Sequence, residues 1–119
     1  MIKLFSKLFK RQHGNVSANE DVEKIRPWTV YVDSNFHHMD EDERYSVGSF
    51  ENYDDALSVC KKIVNEFLTT AQAKTADELF TGYVGFGEDP WIKGSPKAPE
   101  QVRFSAREYA RQRCDELFP

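Results

Sequence analysis

The sequence predicts an α+β fold: a small antiparallel β-hairpin sheet of two to three strands packed against about three helices. Three observations carry this. Two β-branched and aromatic runs, residues 28–32 and 45–50, flank one polar connection. An apolar stripe at helical spacing runs through residues 53–71. Two capping boxes, Thr75-x-x-Glu78 and Ser105-x-x-Glu108, open two more helices.

The chain divides into three parts. Residues 1–12 repeat Met1, Leu4, Phe5, Leu8 and Phe9 at helical spacing, with Lys3, Lys7, Lys10 and Arg11 on the other side. Three readings stand open: a membrane-surface helix, a helix docked on its own domain or a partner, or a frayed end. The tether reading would use Leu4, Phe5, Leu8 and Phe9. Residues 13–24, rich in Gly, Asn, Ser and acids, read as a linker. Residues 25–119 read as a single α+β domain.

Within that domain, Trp28, Val30 and Val32 alternate with Thr29, Tyr31 and Asp33, so one face of the strand is apolar. Residues 45–50 (YSVGSF) are its natural partner. The connection, residues 34–43, is longer than a tight hairpin needs, and loops of excess length more often carry function. Asn52 is the expected N-cap of the helix 53–70, with Asp54 and Asp55 at its positive end. Leu57, Cys60, Ile63, Val64, Phe67, Leu68 and Ala71 form its stripe. A short helix from Thr75 should end at Gly87 or Pro90. Residues 88–102 read as an ordered Pro- and Gly-rich loop, with Trp91-Ile92 tucked against the core. A third short strand is expected near 101–104. The last helix, opened by Ser105, should face Ala106, Tyr109, Ala110, Cys114 and Leu117 inward.

Composition excludes several classes. The chain has 119 residues with 39 % hydrophobic and 13 % aromatic content, enough for one core and against wholesale disorder. Net charge is −4, and the body is more acidic still, because residues 1–13 carry four cations and no acid. An acidic body argues against nucleic acid as partner. Cys60 and Cys114 fall on helix stripes and form no CxxC pair, so buried free thiols are expected. No apolar run reaches membrane-span length, and MIKLFSKLFKRQ lacks the uninterrupted apolar core of a secretory signal. The expected location is cytoplasmic, with peripheral contact at the inner membrane face if residues 1–12 tether.

Three stretches, WTVYVDSNFHHMDEDERY (28–45), FGEDPWI (86–92) and FSAREYARQRCDEL (104–117), together resemble a family of small uncharacterised bacterial proteins. Its members share a Trp-x-Val-Tyr-Val-Asp-x-Asn-Phe-His-x-Met-Asp-Glu run followed by Gly-Glu-Asp-Pro-aromatic-Ile. The likeness covers residues 27–117. It brings no established activity, so it implies no catalytic residue. It does imply that the 35–43 loop and the segment Gly87–Ile92 share one surface.

The loop holds most of the chemically capable residues. As a calcium loop starting at Asp33 it fails: His37 and His38 fall at the fifth and sixth positions and Arg44 at the twelfth, where oxygen ligands, Gly and Glu are needed. A transition-metal site from Asp33, His37 and His38 matches no ligand template, and adjacent histidines in extended chain diverge. No nucleophile elbow surrounds Ser34, and Gly82-x-x-Gly85-x-Gly87 lacks the features of a phosphate loop. The acids Asp40, Glu41, Asp42 and Glu43 are either a solvated loop or a docking surface for a basic partner with Phe36 and Met39 as apolar anchors. Arg103, Arg107, Arg111 and Arg113 are either a solvated face countered by Glu108, Asp115 and Glu116, or a row that meets the acidic loop or an anion.

The reading that results is a small binding or adaptor protein without cofactor. Its surface is Asn35, Phe36, His37, His38, Met39, Asp40, Glu41, Asp42 and Glu43 with Glu88, Asp89 and Trp91, and its partner is a protein. The alternative is a metal-binding protein or metal-dependent enzyme centred on His37 and His38.

Overall fold

The computed structural model describes residues 25–36 and 43–119. The amphipathic segment 1–12, the linker 13–24 and the loop centre His37–Asp42 lie outside the described residues. The described chain runs β1 (Trp28–Ser34), β2 (Tyr45–Phe50), α1 (Tyr53–Thr70), α2 (Ala76–Phe86), β3 (Glu88–Gly94) and α3 (Ala106–Leu117). The strands form one antiparallel sheet in the order β2-β1-β3. This is the α+β fold that the patterning predicts, with three strands and three helices among the described residues.

Alternation decides which face of β1 is buried. Trp28, Val30 and Val32 are 7 %, 0 % and 0 % exposed, and all three face the helices. Burying each such side chain contributes about 1.5–3 kcal/mol, which fixes the strand's register, since a one-residue slip would expose all three. The β1–β2 register shifts after Val30↔Gly48, so that Tyr31 pairs with Ser46 and Val47 is the extra residue. This bulge turns Val47 into the core. On the opposite face, Thr29 Oγ1 and Ser49 Oγ share a 2.9 Å hydrogen bond.

The third strand is Glu88–Gly94, not residues near 101–104, so the expected loop 88–102 is half sheet. Gly87 and Pro90 in the sequence argue for a loop. Pro is nevertheless compatible with an edge strand, where a missing N–H can face away from the sheet. Pro90 pairs with Val32 on that edge and is buried. Ile92 packs on the core as expected, whereas its neighbour Trp91 lies on the opposite face. Residues 101–104 instead cover the sheet's far end, where the Tyr53 hydroxyl donates to the Val102 carbonyl at 2.9 Å.

All three helices start where their side chains dictate. Asn52 Oδ1, Thr75 Oγ1 and Ser105 Oγ each accept from the backbone N–H three residues on. Such a cap contributes about 1 kcal/mol. Glu78 reaches back to the Lys74 N–H, one residue earlier than the capping box implies. The buried face of α1 is Ala56, Val59, Cys60, Ile63, Val64 and Leu68, while Leu57, Phe67 and Ala71 are only half-buried. Its first half packs on the sheet; its second half packs on Leu79 and Tyr83 of α2 and on Ala106, Ala110 and Cys114 of α3. Leu117, expected inside, is 39 % exposed, because it lies past the last packed turn. Cys60 and Cys114 are free and buried, as their stripe positions imply. No helix among the described residues is long and apolar enough to cross a membrane.

Candidate functional site

The loop between β1 and β2 leaves and rejoins the sheet through two sets of anchors. At its start, Asn35 bonds to the end of α2. Its backbone N–H donates to the Gly87 carbonyl, and its carboxamide Nδ2 donates to the Tyr83 carbonyl, both at 2.9 Å. These bonds carry the loop's first residues onto the turn between α2 and β3. The turn is held in its own right: Gly87 N–H donates to Tyr83 O at 2.8 Å, and the Tyr83 hydroxyl donates to Glu88 O at 2.7 Å.

At the loop's end, the Arg44 guanidinium forks onto Asp33, with Nε–Oδ1 at 2.6 Å and Nη2–Oδ2 at 3.2 Å. The same guanidinium lies 5.1 Å from the Trp91 ring centroid, and Trp91 stacks on Tyr31 at 5.0 Å and 26°. An aromatic and cationic stack thus crosses the open face from β3 to the root of β2. Trp91 Nε1 is buried there with no hydrogen-bond partner.

Between these anchors, on the core side, Tyr45 donates its hydroxyl to Glu88 Oε2 at 2.6 Å. Burial first, then the hydrogen bond to Glu88 and the charges of Glu88 and Glu66, push the Tyr45 phenol far above its ordinary range. Burial and the nearby Asp89 charge do the same to Tyr83, and push the Cys60 thiol up to about 12. These are protonated donors and packing groups at neutral pH, not nucleophiles.

The contact-capable feature is apolar. Phe36 stacks on Phe86, the last residue of α2, with centroids 5.4 Å apart and an interplanar angle of 19°. The rings are 62 % and 67 % exposed. Asn35 makes this pairing, because its bonds to Tyr83 and Gly87 set Phe36 beside the end of α2. Around the pair, this end of the sheet carries Asp33, Glu43, Glu88 and Asp89, with Arg44 held on Asp33.

Of the residues singled out by the sequence, Asn35, Phe36, Glu88 and Asp89 therefore meet at one end of the sheet, and Glu43 adjoins them through Arg44. Trp91 lies on the open face behind that end. His37, His38, Met39, Asp40, Glu41 and Asp42 lie outside the described residues, as do Leu4, Phe5, Leu8 and Phe9. Of the metal set, only Asp33 is described, and its carboxylate is occupied by Arg44. Among the described residues no cluster of three or more His, Cys, Asp or Glu could hold a metal ion.

Phe86 escaped the sequence reading, though it left a signal. Phe86 stands seven residues after Leu79 and three after Tyr83, so it continues the face that those two buried residues define, one step past the point where the helix is covered. The arginine row is used within the fold. Arg111 pairs with Asp77 and Asp115 and lies 5.0 Å from the Phe80 ring centroid, and Arg107 lies 5.8 Å from it. Arg113 bonds Glu116 and Asn65. Two of the three expected counter-charges, Asp115 and Glu116, are engaged, and Asp77 of α2 is a further one.

Comparison with protein-family models, with curated proteins and with solved structures returns no match to this chain.

Proposed function

We propose that this protein is a small cytoplasmic binding or adaptor protein that recognises a protein partner through the 35–43 loop and the adjoining turn at Gly87–Asp89. One observation carries the reading: Phe36 and Phe86 form a stacked aromatic pair that is mostly exposed. An exposed aromatic pair loses nothing of the fold's core by binding and gains the burial it lacks. Aromatic anchors of this kind dominate binding energy when a partner covers them. The surrounding acids favour a partner with basic residues flanking an apolar docking segment. The amphipathic pattern of residues 1–12 supports a tether at the inner membrane face through Leu4, Phe5, Leu8 and Phe9.

A photoreactive residue placed at Phe86 in living cells tests the reading. The expected result is one discrete adduct, competed away by excess unmodified protein. The same residue at the remote, exposed Leu117 serves as control. An adduct pattern at Phe86 no different from that at Leu117 refutes the proposed surface.

A further inference from the structure

β3 is an edge strand, and its ladder with β1 shows which of its backbone groups are free. Ser95 N–H donates to the Pro27 carbonyl at 2.8 Å, and Asn35 N–H donates to the Gly87 carbonyl at 2.9 Å. Between these two bonds the register is unbroken, from Trp28↔Gly94 to Ser34↔Glu88. Hydrogen-bonded pairs therefore fall on every second residue, at Asp89, Trp91 and Lys93. The backbone groups of Glu88, Pro90, Ile92 and Gly94 point away from β1. Of these, Glu88 gives its carbonyl to the Tyr83 hydroxyl, and Pro90 has no N–H to offer. Among the described residues, nothing bonds the outward N–H and C=O groups of Ile92 and Gly94.

We propose that this edge is a second binding site, which takes a short extended peptide carrying an acidic side chain next to an apolar one. The peptide adds as a fourth strand against Ile92 and Gly94. The site lies at the other end of β3 from the 35–43 loop and does not depend on the reading given for that loop.

A slot is already formed beside the edge. A cavity of about 400 Å³ runs along Ile92–Gly94 and is walled on its other side by residues 98–104. That is within the usual size of a ligand site. The far wall is fixed: the Tyr53 hydroxyl holds the Val102 carbonyl at 2.9 Å, and Phe104 packs on both halves of the core. A peptide entering a wall fixed in this way has no loop to order. Trp28, Tyr53, Ile92 and Phe104 give the slot its apolar lining.

Charge selects the occupant. The chain carries a net charge of −4, yet Lys93 and Arg103 line the slot against Glu100 alone. Lys97 sits in the adjoining turn, where Ala98 N–H donates to Ser95 O. Arg44, Arg111 and Arg113 are paired with acids, whereas Lys93, Lys97 and Arg103 engage none among the described residues. An acidic ligand supplies the missing partner. Alternation then sets the motif, because successive side chains of a strand point to opposite faces. One side chain falls on the core side, where Trp28 and Ile92 lie, and its neighbour falls on the open face beside Lys93. A second copy of this chain fits less well. Pro90 confines the free edge to its last residues, and two-fold pairing of the edges would set the two Lys93 side chains together.

Selection from a phage-displayed library of random linear peptides, with the full chain as bait, tests this. The most enriched peptide is then titrated into isotope-labelled protein. The expected result is an acidic position adjacent to an apolar one, amide shifts centred on Ile92 and Gly94, and slowed hydrogen exchange at both amides. Lys93 and Arg103 are exposed, so Lys93→Glu/Arg103→Glu keeps the fold and should weaken binding at least ~10-fold. A peptide with Lys at the acidic position should regain affinity for that variant. Ile92→Pro removes the outward N–H as Pro90 already does and should abolish binding; if it fails to fold, the charge reversal still decides. No enrichment overturns the proposal, as do peptides whose shifts map to Phe36 and Phe86–Glu88 or whose affinity survives the charge reversal. Concentration-dependent dimerisation that shifts Ile92 and Gly94 without peptide marks the edge as a contact between copies and also overturns it.

Discussion

Gly87 lies directly beneath the ring of Tyr83: a Cβ on Gly87 would fall 2.5 Å from Tyr83 Cδ1 and 2.8 Å from the Tyr83 carbonyl oxygen. The turn from α2 into β3 closes only because nothing occupies that space. The same turn receives the first residue of the 35–43 loop, so the fit of one hydrogen atom under one ring positions the candidate surface.

Gly87→Ala should therefore cost about 1–3 kcal/mol, since neither the buried ring nor the backbone oxygen can give way cheaply. In a domain of this size that lowers Tm by roughly 4–8 °C per kcal/mol. Gly82→Ala is the matched control. Nothing lies within 4 Å of a Cβ there, and it sits inside α2. It should raise stability by about 0.5–1 kcal/mol. Thermal denaturation of both variants checks the pair.

Asn35→Ala removes the carboxamide bond to the Tyr83 carbonyl but keeps the backbone bond to Gly87. The expected cost is about 1 kcal/mol. Hydrogen exchange at the Asn35 amide should speed up, while the β1 amides of Val30 and Val32 stay protected. Equal acceleration throughout β1 would show global destabilisation and no specific anchoring.

Stability should fall on the alkaline side. Tyr45 and Tyr83 are held protonated above the ordinary phenol value of 10.0. The unfolded chain releases those protons near pH 10 while the folded chain keeps them. Their contribution is complete below about pH 10 and is lost as pH rises further. Tyr45→Phe removes one such proton, so the alkaline decline in Tm should become shallower. At neutral pH the same change leaves Glu88 Oε2 without its donor and should cost about 1 kcal/mol.

Arg44→Lys separates charge from geometry. The Arg44–Asp33 pair has about a third of each side chain exposed, so it contributes about 1 kcal/mol or less. Lysine keeps the charge but loses the fork on Asp33 and the flat contact with Trp91. The expected outcome is a Tm near that of the parent with altered Trp91 fluorescence. An unchanged spectrum would show that the guanidinium does not hold the Trp91 environment.

Much of this architecture was legible in the sequence, for local reasons. Asn52, Thr75 and Ser105 announce their helices by chemistry that acts within three residues, and Trp28/Val30/Val32 declare a face by alternation alone. What failed depended on partners distant in the chain. Pro90 looks like a breaker until β1 is known to be central, leaving β3 an edge where proline is tolerated. Val59 joins the core because α1 is rotated slightly from its most apolar stripe. Phe36 was legible as a loop anchor, but its partner Phe86 was not, because only the Asn35 bonds to Tyr83 and Gly87 bring those rings together. Arg44 adjoins the acidic run in sequence and yet pairs with Asp33, a choice set by the sheet rather than by proximity in the chain.

The exposed aromatic pair is the centre of the account, and Phe36→Ser/Phe86→Ser tests it most directly. Both rings lie mostly outside the core, so the double variant should keep its fold within about 1 kcal/mol. Its affinity for the partner captured at Phe86 should fall by at least about 30-fold, the loss that corresponds to removing ~2 kcal/mol of anchor energy. A folded double variant that binds this partner as tightly as the parent would contradict the account.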